Sequence, residues 1–318
     1  GYTTIRNRPG ITIETHMLKD YRNRVRGTYD LLRFTLEEVN RNPDKLLRAV
    51  READEGTIKA ASSYNPQQRY PLQIQLTDKA KPFQFKGLES RTEQSDVSGA
   101  MRVIFGTKPL EVTIPFYDES RVAAAVAPPL YYIVPPQWKE VISVLAAHGL
   151  RLQRLAAPTT IEVESYRFTN VKLATEPFEG RVMPNERTKV LVRERKNFPA
   201  GSVVVPVAQP AGNVAVHLLE PDGPDSFIAW GFFNAIFEQK EYGEDYVLEK
   251  LAREMLAQDE KLKREFEQKV ASDPAFAANP TARLNFFYER SPYWDKQMNL
   301  YPVGRVINPL TAKLSDFR

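Results

Sequence analysis

Residues 131–155 read YYIVPPQWKEVISVLAAHGLRLQRL. The run Tyr131–Val134 consists of aromatic and β-branched residues, which favour a strand, and two prolines then open a helix. Gly149 is a typical helix stop, so the apolar spacing predicts a helix over Gln137–His148. A second strand is expected at Arg151–Leu155. The stretch therefore predicts a strand, helix, strand crossover inside a mostly antiparallel domain.

Short runs of β-forming residues between turn residues surround this crossover and predict a β-rich domain over residues 70–230. These runs are Leu72–Leu76, Met101–Phe105, Leu110–Ile114 and Thr160–Glu164. Residues 57–69 are small and polar without a period, so we expect a linker there. From residue 231 to residue 318 the composition shifts to Glu, Lys, Ala and Leu, which predicts a helical C-terminal region. Its expected helices are Asp245–Ala257, Glu260–Ala271 and Thr281–Glu289.

The N-terminal part of the chain, residues 1–56, has a pattern of its own. The segment Pro9–His16 reads PGITIETH, a β-branched run after a turn dipeptide, which predicts a strand. Alternation assigns Ile11, Ile13 and Thr15 to one face and Thr12, Glu14 and His16 to the other. From Asp20 onward apolar residues recur at steps of three and four, the spacing of an amphipathic helix. A second helix is expected over Pro43–Glu55, ending before Gly56.

Length and charge restrict the classes of function. A chain of 318 residues and 36.3 kDa is expected to form two or three folding units. The 44 basic and 40 acidic residues are mixed along the chain, so the net charge of +4 gives no strong basic field, and we expect no nucleic-acid partner. No apolar run approaches the ~20 residues that span a bilayer, so no membrane span is expected. Because the first residues do not resemble a signal peptide and lack Met, we expect the natural N-terminus to lie upstream.

Few residues in this chain are suited to metal or nucleophile chemistry. There is no cysteine, and the histidines His16, His148 and His217 are isolated from one another. None forms an H-x-x-E or H-E-x-x-H pair, so we expect no metal ligands in this chain. The sequence also has no G-x-S-x-G elbow and no glycine-rich phosphate loop, which disfavours serine hydrolases, kinases and dinucleotide enzymes.

Glu14 is the leading candidate for chemistry. A carboxylate in the middle of a predicted strand costs free energy unless it has a partner, a task or access to water. The residues alone leave two interpretations open: an edge strand with Glu14 in solvent, or a functional site. His16 is either a substrate-binding or orienting residue for Glu14 or a structural one. Lys19, Tyr21 and Arg22 follow the predicted strand and are candidates for lining a substrate cleft.

The segment Gly10–His16 and the helix after it resemble the end of the zinc carboxypeptidase fold, the carboxypeptidase A-like family. A strand of the form apolar-Thr-apolar-Glu carries the catalytic glutamate in that family, and Thr12, Ile13 and Glu14 match those positions. Later blocks resemble a bacterial subgroup with a large C-terminal extension. These blocks are Pro199–Ser202, Ala215–Pro221, Asp225–Ser226, Trp230–Phe233, Phe237–Tyr242 and Ser291–Trp294.

The resemblance implies an α+β fold in three parts. Residues 1–56 would supply the C-terminal strand and helices of an α/β/α carboxypeptidase domain, residues 70–230 a β-rich accessory domain with one crossover, and residues 231–318 a helical tail. The implied activity is zinc-dependent hydrolysis of peptide bonds with Glu14 as general base. The family's zinc ligands precede the glutamate strand, so zinc would be bound by a missing N-terminal half, and this chain alone would be inactive.

The resemblance also implies a peptide substrate and a periplasmic or extracellular location. A different class of function stays open on the residues. In it, the chain is a non-catalytic binding or packing module whose β-rich region recognises a peptide, cell-wall or partner surface, and Glu14 is incidental. An H-x-x-E pair with a later histidine in the coding region upstream of Gly1 would favour the enzyme, and an unrelated upstream sequence would favour the module.

Overall fold

The computed structural model describes residues 1–316. The helices are α1 (Tyr2–Ile5), α2 (Tyr21–Arg41), α3 (Pro43–Ala60), α4 (Lys139–Ala147), α5 (Gly212–Leu219), α6 (Asp245–Gln258), α7 (Glu260–Ser272), α8 (Pro274–Ala277) and α9 (Pro280–Tyr288). The strands are β1 (Tyr70–Leu76), β2 (Lys81–Gln94), β3 (Met101–Phe116), β4 (Ser120–Val126), β5 (Tyr131–Val134), β6 (Gln153–Leu155), β7 (Thr159–Leu173), β8 (Pro184–Phe198), β9 (Val203–Pro206), β10 (Gly304–Val306) and β11 (Leu314–Asp316). The predicted α+β fold with a β-rich domain is confirmed.

A seven-stranded sheet in the order β11-β6-β9-β5-β10-β7-β8 forms the centre of the β-rich domain. Strands β5 and β6 both pair antiparallel with β9, which lies between them. They therefore run in the same direction, and α4 connects them as the predicted crossover. Strand β10 comes from the far end of the chain and pairs antiparallel with β5 and β7. The sheet is thus completed in its middle by the C-terminal segment.

Alternation along the central strands separates two cores on the two faces of the sheet. Tyr132 and Val134 of β5 belong to the large core, which α4 and α5 cover, whereas Ile133 between them belongs to the small one. Both faces of this strand are buried, so it is apolar throughout rather than alternating with polar residues. The small core is closed by the segment that contains Leu310 and Leu314.

The C-terminal helices pack on one another around clusters of phenylalanine. Phe266, Phe276, Phe286 and Phe287 form the centre of one cluster, which joins α7, α8 and α9. Capping explains where these helices start, because side chains accept hydrogen bonds from free backbone N–H groups. The N-cap residues are Asp259, Asp273 and Asn279. Within residues 1–316, no helix has both the length and the apolarity needed to cross a bilayer.

A long two-stranded ribbon extends beside the central sheet. Strands β2 and β3 have 14 and 16 residues and pair antiparallel, with a bulge between Leu88 and Ser90. The two predicted strands at 101–105 and 110–114 are therefore one strand. Phe83 faces Ile114 and Phe85 faces Val112 across the ribbon. Much of this apolar surface is exposed, with Phe83 46% and Phe85 43% accessible.

The predicted strand at residues 9–16 is wrong, because the structure has irregular backbone there. A strand needs a neighbour to accept and donate its backbone hydrogen bonds. No backbone group of residues 11–15 has a backbone partner within the described chain. The alternation of two faces that placed Glu14 beside His16 therefore does not apply here.

Helix α2 begins as predicted, with the Asp20 side chain accepting a hydrogen bond from the backbone N–H of Asn23 at 2.8 Å. The predicted end of the next helix before Gly56 is wrong, because α3 continues to Ala60. A glycine inside a helix costs only about 1 kcal/mol, and the residues after Gly56 continue the helical pattern. The first four residues of the expected linker are therefore helical.

Candidate functional site

Glu14 lies in the exposed irregular segment between α1 and α2. Within the described residues its carboxylate has neither an ion pair nor a hydrogen bond. A solvated carboxylate of this kind incurs no burial cost, so the free-energy argument for a task at Glu14 loses its basis in this chain. The same exposure leaves both carboxylate oxygens open to a molecule that approaches from outside.

The four other predicted site residues follow Glu14 along the same surface. His16 closes a turn: its Nδ1 accepts a hydrogen bond from the backbone N–H of Leu18 at 3.1 Å, and its carbonyl accepts one from the backbone N–H of Lys19 at 3.0 Å. Tyr21 and Arg22 form the first turn of α2 and are exposed. The five residues are therefore close neighbours in sequence, and all of them are exposed.

A buried cluster of charges that we did not predict lies in the β-rich domain. Glu164 on β7 and Glu220 after α5 are 3% and 1% exposed, and Arg305 on β10 lies between them at 3%. Arg305 donates from Nη1 to Glu164 at 2.6 Å and from Nε to Glu220 at 2.8 Å. Tyr132 and Tyr166 each donate a hydroxyl hydrogen bond of 2.7 Å to Glu220.

The environment of this cluster shifts the pKa values of its members. Burial, followed by the charge of Glu220, raises the pKa of Tyr132 and of Tyr166 well above the usual value for tyrosine. Burial would lower the pKa of Arg305, but Glu220 and the other neighbouring groups outweigh it, and the net direction is upward. Arg305 is therefore a permanent cation, and the tyrosines are permanent donors.

The cluster is complete as it stands, which indicates a structural role. Both oxygens of Glu164 accept hydrogen bonds, one from Arg305 and the other from Arg193 at 2.9 Å. A third group of Arg305, Nη2, donates to the carbonyl of Ala127 at 2.7 Å. No buried side-chain nitrogen or oxygen atom of the cluster lacks a hydrogen-bond partner within the described chain, and the cluster holds β10 between β5 and β7.

The sequence contained a signal for Glu164 that we did not use. The run Thr160–Glu164 was predicted as a strand, and a glutamate in a strand requires a partner when it is buried. The same cost of burying a carboxylate is the basis of the prediction for Glu14. What the sequence lacks is any local sign of Arg305, which is 141 residues away.

Groups suited to metal binding are not assembled in this chain. Residues 1–316 contain no group of three or more His, Asp or Glu side chains that could hold a metal ion. Burial lowers the pKa of His148 and of His217, and the ring of His217 packs against Tyr70.

A groove of about 440 Å³ lies in the helical tail, where its walls include the rings of Tyr242 and Tyr293.

Comparison with known proteins gives limited but consistent matches. No family model matches the sequence, and no solved structure matches it. Carboxypeptidase 2 of Trichophyton tonsurans is 33% identical over 103 residues, which are 32% of this chain and 19% of that protein. Carboxypeptidase 2 of Trichophyton rubrum is 31% identical over the same length. Probable carboxypeptidase 2 of Arthroderma benhamiae is 32% identical over 92 residues, or 29% of this chain and 17% of that protein.

The matched residues thus span about a fifth of the length of these curated relatives. Two of them are named carboxypeptidase 2 and the third probable carboxypeptidase 2. Over about a third of its length, this chain is similar to proteins with these names.

Proposed function

We propose that this chain is the C-terminal portion of a zinc-dependent metallocarboxypeptidase, in which Glu14 is the general base for peptide-bond hydrolysis. The observation that carries the proposal is the similarity to carboxypeptidases 2. The match of Thr12, Ile13 and Glu14 to the apolar-Thr-apolar-Glu pattern supports it at the level of residues. The exposed and unpaired state of Glu14 is compatible with a role that begins when substrate and a second part of the protein are present.

A carboxylate in this position would transfer one proton twice. Glu14 would accept a proton from the water that attacks the scissile carbonyl and would then donate it to the leaving amine. An unpaired carboxylate is suited to this, because a permanent ion pair would stabilise its charged form and weaken it as a base. His16 would assist, since its Nδ1 is occupied by Leu18 and the neutral ring then donates from Nε2 to a substrate.

Zinc does not fit the residues of this chain alone. Zinc sites with catalytic roles use three protein ligands, and no such group exists among the described residues. Zinc, when bound, lowers the pKa of a water molecule toward about 7. We therefore propose that an upstream half of the protein supplies the ligands through an H-x-x-E pair and a later histidine. Lys19, Tyr21 and Arg22 would line the substrate cleft from this chain.

The location that goes with this proposal is periplasmic or extracellular, and the substrate class is a peptide with a free C-terminus.

The second candidate, a non-catalytic binding module, is supported by the ribbon of β2 and β3. Two of its phenylalanines, Phe83 and Phe116, have ring centroids 5.2 Å apart and are 46% and 45% exposed, so they form part of an exposed apolar surface.

One comparison separates the two candidates. The protein encoded by the complete coding region is incubated with a peptide that has a free C-terminus and with the same peptide carrying a C-terminal amide. A carboxypeptidase removes the last residue of the free peptide only. Failure to cleave either peptide, together with an upstream sequence that lacks an H-x-x-E pair and a later histidine, would favour the module.

A further inference from the structure

The residues before Glu14 are attached to helix α3 by side chains. Arg8 forms a two-point ion pair with Asp54, from Nη1 to Oδ1 at 2.9 Å and from Nη2 to Oδ2 at 3.1 Å. The Asn7 amide donates to Oδ1 of the same carboxylate at 3.1 Å and to the hydroxyl of Thr57 at 2.9 Å. Asn7 has a φ of 57°, in the left-handed region that asparagine tolerates better than most residues. The chain therefore turns at Asn7 and is held there.

The hydrogen bond from Arg8 lowers the pKa of the Asp54 carboxyl from its ordinary value. The Asp54 side chain is 20% exposed, and that of Arg8 is 41% exposed. Ion pairs with this degree of exposure usually contribute little to folding stability. The two-point geometry of this pair does fix the relative orientation of the Arg8 and Asp54 side chains, because the planar guanidinium and the carboxylate must lie side by side.

A second attachment lies at Gly10, where the chain packs against α1. A Cβ atom added to Gly10 would be 2.2 Å from the side-chain oxygen of Thr3. Any other residue would force the Thr3 side chain to move. The loop that carries Glu14 therefore begins at a close contact with α1, at residue 10, and it ends at the Asp20 cap of α2.

Helices α1 and α3, which contact the residues before Glu14, are themselves attached to the β-rich domain. The Tyr2 hydroxyl lies 3.0 Å from Nδ1 of His148 at the end of α4, and Arg6 donates to the carbonyl of His148 at 3.3 Å. At the C-terminal end of α3, Ala61 packs against the large core of that domain. A continuous set of contacts thus leads from the sheet through α1 and α3 to the segment before Glu14.

We propose that the β-rich domain positions Glu14, with the ion pair of Arg8 and Asp54 as the positioning contact. This rests on the proposed function, in which Glu14 is the general base. The nine residues 11–19 lack regular structure, so their path depends on where their two ends are held. Proton transfer requires a placement within a fraction of an ångström, and an error of ~1 Å can cost ~10²-fold in rate. The β-rich domain would then be part of the catalytic apparatus. The positioning residues would be Arg8, Asn7 and Asp54.

The test uses the complete protein with its upstream half. Asp54→Ala should lower kcat by about 10- to 100-fold while KM stays within about threefold, because the base is displaced and substrate contacts are not. Exchanging the charges, Arg8→Asp with Asp54→Arg, should restore most of the lost kcat. Lys79→Ala, which removes an exposed ion pair with Glu119 far along the chain, is the matched control and should leave kcat unchanged.

Gly10→Ala supplies a second, independent variant, because it displaces the loop at Thr3 without touching the ion pair. It should lower kcat in the same way, and melting temperatures report whether either variant is unfolded. A kcat within twofold of wild type in both Asp54→Ala and Gly10→Ala would overturn the positioning role. So would a change confined to KM, or a charge exchange that restores nothing.

Glu14→Gln in the same preparation distinguishes the two levels of the proposal. An inactive Glu14→Gln beside a fully active Asp54→Ala overturns the positioning role and leaves the proposed function in place. An active Glu14→Gln overturns both.

Discussion

Arg305 donates a hydrogen bond of 2.6 Å to Glu164, and the two residues are 141 positions apart and almost fully buried. The contact joins β10, a strand of three residues, to β7, a strand of 15 residues that lies beside it in the central sheet. Arg305 also pairs with Glu220, so it is the cation between two buried carboxylates. The fold of the β-rich domain therefore depends on β10.

Replacing Arg305 should therefore destabilise the domain strongly. Arg305→Met leaves Glu220 buried without a cation and leaves Glu164 with Arg193 alone, and breaking a buried pair in this way typically costs about 3–5 kcal/mol in the free energy of unfolding. Urea denaturation of the variant and wild type measures the difference. Lys79→Ala breaks the exposed pair with Glu119 and should cost less than about 1 kcal/mol. Equal effects in the two variants would contradict the structural role of the cluster.

Four of the 14 tyrosines should ionise only at high pH. Burial raises the pKa of Tyr70 to about 12, and it also raises the pKa of Tyr132, Tyr166 and Tyr301 well above the usual value for tyrosine. A raised tyrosine pKa means that the folded state favours the neutral form, so the stability is complete below pH 10 and is lost as the pH rises through the folded pKa.

Ultraviolet titration of tyrosinate should accordingly show a late group of tyrosines that ionises near pH 12 or with unfolding. Tyr70→Phe should remove one tyrosine from the late group. A single step near pH 10 that includes all tyrosines in the folded protein is incompatible with this burial.

The 318-residue chain by itself should neither retain zinc nor remove residues from the C-terminus of peptides. Its three histidines are dispersed, and the described residues offer no three-ligand group. Metal analysis after dialysis against a weak chelator measures the first property. One zinc ion retained per chain would refute the claim that the ligands lie upstream.

Amide hydrogens of Ile11–Thr15 should exchange rapidly in the same chain. They have no backbone acceptors in the described residues, whereas Ile133 and Val204 are paired with each other in the centre of the sheet. Hydrogen exchange followed by mass spectrometry compares the two regions. Protection at Ile11–Thr15 equal to that of the central strands would mean that the segment has a partner in this chain.

The sequence predicted those elements whose signals are local. The crossover around α4 is marked by two prolines and Gly149, and predicted tail helices are marked by capping Asp and Asn residues, as at Asp259 and Asn279. These positions depend on residues within a few places of one another, so they can be recognised without knowing the rest of the fold.

Pairings between distant segments could not be predicted in this way. Strand β8 contains several basic residues, and its sequence gives no sign of their partners. Lys189 bonds to Asp222 and Arg193 bonds to Glu164, both of which lie elsewhere in the chain. Strand β10 has three residues, and only its place between two other strands makes it a strand. Of the candidate site, the sequence supplied the residues and their order but not their exposure, which depends on what covers the segment.

The most direct test of the central claim is Glu14→Gln in the complete protein. The change keeps the size of the side chain and removes its basic oxygen, so kcat on a peptide with a free C-terminus should fall by about 10²–10⁴-fold. Zinc content and melting temperature should stay close to those of wild type, because Glu14 has no structural partner among residues 1–316. A variant that keeps more than about a tenth of wild-type kcat would show a smaller loss than removal of a general base typically causes. That result would contradict the assignment of Glu14 and with it the proposed function.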